Sequence, residues 1–138
     1  MSVNTKSIGV AFEDQNIVGS DKILSASQLG YTSDAQGTVT QATSKSTAVT
    51  LNKSAGVITM NNASLATATN ATFTLNNSLI SANDTVILTI SGGQATAGSY
   101  NAFANSLAAG SVSITLRNIS GGTLSEAVTI NYALIHCD

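Results

Sequence analysis

The chain has one histidine and one cysteine, and they are neighbours: His136 and Cys137, followed by Asp138. Nucleophilic catalysis by a thiol or hydroxyl needs a base within reach, and that base must be oriented by a carboxylate. Adjacent residues on a strand point to opposite faces, so His136 and Cys137 are not expected to act together. A frayed terminus would hold neither rigidly, and the tail offers adventitious metal binding at most. Zinc needs several Cys or His at set spacings, which one of each does not supply. Only a three-fold assembly could gather several copies of His136.

Carboxylates are as scarce. Glu13-Asp14 is the one acidic pair, and Asn83-Asp84 reads as a surface turn rather than a calcium loop. Between residues 37 and 135 only Asp84 and Glu126 could serve as a glycosidase pair, and the chain has no Trp to form a sugar platform. Gly92-Gly93 and Gly121-Gly122 do not follow phosphate-binding patterns. Sequons such as Asn62-Ala63-Ser64 are expected by chance in so Asn- and Thr-rich a chain. The expectation is a non-enzyme with no catalytic residue, no cofactor and no metal.

The rest of the composition points to assembly. The 138 residues allow one domain with a real core. Charged residues make up 9%, against roughly 25% in an average soluble domain, and Ser, Thr and Asn take their place. Charge keeps proteins apart in solution, so its scarcity predicts surface buried against copies of itself or another partner. The hydroxyl-rich surface of many extracellular β proteins is the alternative. The five cations, Lys6, Lys22, Lys45, Lys53 and Arg117, form no stripe, which disfavours nucleic acid. No apolar run approaches the ~20 residues of a membrane span, and residues 1–10 lack the apolar core of a secretory signal. A single cysteine makes no internal disulfide.

The elements carrying these residues read as strands. Period-2 alternation marks 37–41, 47–51, 56–60, 71–75, 85–90, 111–116 and 127–135, with turn residues between them. Val112, Ile114 and Leu116 share one face of the cleanest of these. The segment 99–105 reads as a further strand, joined to 111–116 by a hairpin through Ala108-Ala109-Gly110. Such spacing predicts an all-β fold, an antiparallel β-sandwich with the jelly roll among the topologies open to it. The sandwich is placed at 37–138. Residues 1–36 read as an extended N-terminal arm, or as an irregular piece packed on its own domain. Arg117 and Glu126 flank the Ser120-Gly121-Gly122 turn. They are expected as an exposed pair across a hairpin or as an inter-subunit contact.

Four stretches resemble a module of phage virion structural proteins: residues 37–53 (GTVTQATSKSTAVTLNK), 56–62 (GVITMNN), 73–78 (FTLNNS) and 114–128 (ITLRNISGGTLSEAV). The block at 116–127 is the most specific, and the resemblance spans about Gly37 to Ile135. It implies a head-decoration, head-fibre or tail-fibre component and carries over no catalytic residue. The expectation is a capsid decoration (cement) protein on the outer surface of the phage head, made in the host cytoplasm. It would be a homotrimer clamping the major capsid protein, with the arm residues Ile8, Phe12, Ile17, Ile23, Leu24 and Leu29 in contact with the capsid. Edge strands would add to the binding. A tail-fibre or receptor-binding component is the alternative, and a carbohydrate-binding module comes third.

Overall fold

A computed structural model describes residues 26–137. A 3-10 turn at Ser33–Ala35 precedes eight strands: β1 (Gln36–Thr40), β2 (Val49–Thr50), β3 (Ala55–Thr59), β4 (Asn70–Asn76), β5 (Thr85–Gly92), β6 (Tyr100–Ala108), β7 (Ser111–Asn118) and β8 (Thr129–Ile135). Among the described residues there is no α-helix, hence no helix long and apolar enough to cross a membrane. Every stretch with period-2 alternation forms a strand, because alternation lets a strand bury one face and wet the other. Ala71, Phe73 and Leu75 are buried on β4, Val112, Ile114 and Leu116 on β7, and Ile130, Tyr132 and Leu134 on β8. Most of their neighbours in sequence, such as Thr72, Thr74, Ser113 and Asn131, are hydroxyl or amide residues on the outward side.

The strands form two four-stranded sheets, ordered β1-β3-β8-β5 and β2-β4-β7-β6. The two sheets pack face to face over an aliphatic core with Phe73, Tyr100 and Tyr132 as its aromatic members. The all-β sandwich is as expected. The sheets themselves are mixed: β1 pairs parallel with β3, and β2 parallel with β4, while the other pairings are antiparallel. The cause is the path of the chain. From β1 to β6 it changes sheet at every connection, and each crossing reverses its direction. Strands two apart in sequence therefore run the same way. The two parallel edge pairs set the fold apart from an all-antiparallel jelly roll.

Among the described residues only β6 and β7 form a hairpin within one sheet. Gly110 makes that turn at φ +82°, a conformation open to glycine without cost. Gly56 meets a different need. A Cβ there would lie 2.7 Å from Leu51 Cδ2 and 2.8 Å from the carbonyl oxygen of Gly37, so the close approach of β1 at this point needs a glycine at position 56.

Buried polar side chains tie the ends of the strands together. Asn118 donates from Nδ2 to the carbonyls of Leu65 (2.9 Å) and Gly122 (2.8 Å) and accepts at Oδ1 from Ser120 N and Oγ. Tyr132 donates to the carbonyls of Leu51 and Lys53. Gln41 donates to the carbonyls of Lys45 and Thr47 and accepts from Asn61 N. Such groups are expensive to bury unless satisfied.

Candidate functional site

The side chains with reactive chemistry fall at the ends of the sandwich, and its faces are left almost without charge. Within the eight strands Arg117 is the only charged residue.

At one end Asp84 is buried, correcting its expectation as a surface turn. Its carboxylate accepts from Ser81 N (2.9 Å) and Ser81 Oγ (2.7 Å), from His136 Nδ1 (2.9 Å) and from Cys137 N (3.3 Å). The two bonds from Ser81, aided by those from His136 and Cys137, hold the carboxyl well below the usual range. The Asp84 carboxylate only accepts, so the His136 Nδ1–H donates to it. His136 and Cys137 are thus held at two points just past β8. Ser81 Oγ is spent on Asp84, and Cys137 Sγ sits against the Ile135 carbonyl at 3.8 Å. The arrangement works as a clasp on the C-terminal tail. Among the described residues no three His, Cys, Asp or Glu side chains gather as metal ligands.

At the other end the structure separates Arg117 from Glu126. Arg117 Nη1 donates to Asn70 Oδ1 (3.1 Å), and Glu126 Oε1 accepts from Ala95 N (2.7 Å). The expected hairpin pair is corrected for a topological reason. The turn at 120–122 carries the chain from β7 in one sheet toward β8 in the other, so its flanks do not lie side by side in a ladder. Lys45, one of the five scattered cations, is buried. Its Nζ donates to the carbonyls of Asn61 (2.6 Å) and Glu126 (2.5 Å). Burial lowers its pKa, and the Glu126 charge opposes that shift. Burial, and secondarily Glu126, push the Tyr100 phenol up to about 12.

The faces between these ends are polar and carry no charge besides Arg117. On the outer face of the first sheet, Ser91 Oγ donates to Asn131 Oδ1 (2.8 Å). On that of the second, the hydroxyls of Thr72 and Thr115 pair at 2.7 Å. Apolar side chains interrupt the first face at Ile87 and Ile135, each about half exposed. Residues 29–31 lie against β8 there, with the Tyr31 hydroxyl donating to the Leu134 carbonyl. Of the residues expected to touch a capsid, Leu29 is described and is 90% exposed. Ile8, Phe12, Ile17, Ile23 and Leu24 lie outside the described residues.

Sequence reasoning missed Asp84 and Lys45 as buried groups. Both partners of Lys45 Nζ, and His136 beside Asp84, come from distant segments; Ser81, three residues before Asp84, is the one local signal the sequence carried. Comparison with protein-family models, with curated proteins and with solved structures finds no match.

Proposed function

We propose that the chain is a bacteriophage capsid decoration protein. It acts as a homotrimer that binds the major capsid protein on the outer surface of the phage head and clamps adjacent capsid subunits. The observation that carries this reading is the pair of sheet faces holding one formal charge between them. Such faces suit dense packing against protein, where a charge would have to be desolvated. The resemblance of residues 37–53 and 114–128 to a module of phage virion structural proteins is what directs the reading to the phage head. Leu29, 90% exposed and near the start of the described residues, fits a contact with a partner.

The test is the copy number and position of the protein on the particle, read from an image of the virion and quantitative mass spectrometry. Copies in the hundreds, spread over the head, are expected. A few tens confined to the tail would refute decoration and favour a tail-fibre or receptor-binding role. Removing residues 1–30 is expected to abolish binding to heads while the sandwich still folds. Retained binding would shift the contact to the sheets.

A further inference from the structure

The outer faces of the two sheets differ. On the second sheet the outward residues of β4 and β7 are hydroxyls and amides with Arg117 among them, and Phe103 of β6 is the exposed large apolar side chain. On the first sheet apolar side chains gather at one end. Ile87 of β5, Ala133 of β8 and Ala55 of β3 stand side by side in register. Ile135 continues the patch along β8 and Val57 along β3. Thr85, Thr89 and Asn131 border it. An apolar patch with a polar rim marks a contact surface.

Two grooves of about 330 Å³ each lie on this face. One crosses β1, β3 and β8 over Ala55, Val57 and Asn131. The other is formed where residues 29–31 pass the end of β8, beside Ala133 and Ile135. Tyr31 fastens that passage through its bond to the Leu134 carbonyl. The described chain therefore begins on the apolar end of the first sheet, with 25 residues preceding it.

We propose that residues 8–12 of this chain occupy this face, with Ile8, Val10 and Phe12 set against Ile87, Ala133 and Ile135. These three lie outside the described residues, and their sequence is what selects them. They alternate with Gly9 and Ala11, so in an extended chain all three point the same way. Ile23 and Leu24 are adjacent and would point to opposite faces. Reach is ample. Residues 13–28 span up to about 50 Å when extended, and a four-stranded sheet is about 20 Å wide at ~4.8 Å per strand. The tether also favours this occupant over a separate molecule. It presents the segment at an effective concentration on the order of a millimolar, which a partner at micromolar concentration does not match. The inference goes beyond the decoration reading and does not depend on it, because it gives Ile8 and Phe12 a partner within the chain.

The experiment is photocrosslinking of the full chain at micromolar concentration, with a benzophenone amino acid placed at position 87 or, as control, at position 103. Both positions are partly exposed, and circular dichroism should show both labelled chains folded. Position 87 is expected to capture a peptide containing residues 8–12 within a single-chain mass, and position 103 is not. In the label at 87, Ile8→Asp/Phe12→Asp should lower the yield about 10-fold, because two apolar side chains lose their burial. Without a label, the same double substitution should shift the backbone amide resonances of Ile87, Ala133 and Ile135 and leave those of Thr72 and Thr115. Capture of a second chain in place of the first would overturn the tethered occupant. No capture of residues 1–25, equal capture from position 103, or resonances that do not move would overturn the site. Head binding is read on particles, so either reading can fail without the other.

Discussion

Truncating Asn118 to alanine tests the account of the 116–127 block most directly. Asn118 is fully buried, and its amide makes four hydrogen bonds: two donated to carbonyls at Leu65 and Gly122, two accepted from Ser120. A buried hydrogen bond contributes about 1 kcal/mol net. Two of the partners keep other bonds in the variant: the Leu65 carbonyl still accepts from Leu124 N, and Ser120 Oγ still reaches the Gly122 carbonyl. The expected cost of Asn118→Ala is therefore about 2–3 kcal/mol, below the four-bond sum. With the thermal sensitivity of a domain this size, the melting midpoint should fall by about 10 °C. In urea the midpoint should drop by about 1–2 M with the slope unchanged, since the same surface is exposed on unfolding. Asn118→Asp should be at least as damaging, because it removes both donors and buries a charge. A loss under about 0.5 kcal/mol for Asn118→Ala would refute the idea that this amide organises the turn between the sheets.

Gly56→Ala is expected to cost about 1–3 kcal/mol, because its new Cβ would meet the backbone oxygen of Gly37 as well as Leu51 and the Tyr132 ring. Gly37→Ala meets only the side chains of Leu51 and Lys53 and should cost less in paired thermal melts; equal losses would contradict this. The pH profile of stability should fall at both ends. The carboxyl of Asp84 is held below its unfolded value, so its contribution is complete above about pH 4 and is lost as pH falls below that. Tyr132, pushed up to about 12 by burial, contributes below about pH 10 and loses that contribution as pH climbs from there toward 12. Urea midpoints across the pH range should show Asp84→Asn flattening the acid limb and Tyr132→Phe flattening part of the alkaline one. Unchanged limbs would show that these groups do not couple to folding.

Much of the fold was legible in the residues alone. Val112, Ile114 and Leu116 alternate with hydroxyls, so one face of β7 had to be buried and the other wetted. The same logic located the other strands, and Gly110 marked the one hairpin. The scarcity of charge was equally plain, and it survives as the emptiness of the sheet faces. Alternation reports which face of a strand is buried, however, and says nothing of which strand lies beside it. The parallel edge pairs β1–β3 and β2–β4, and the separation of Arg117 from Glu126, follow from where the chain crosses between sheets, which no window of sequence contains. The same holds for the chemistry. Asp84 and His136 are 52 residues apart, and Lys45 reaches a carbonyl 81 residues away. A carboxylate or ammonium reads as exposed until its partners arrive, because burial is affordable only with those bonds in place. Only the folded chain delivers them.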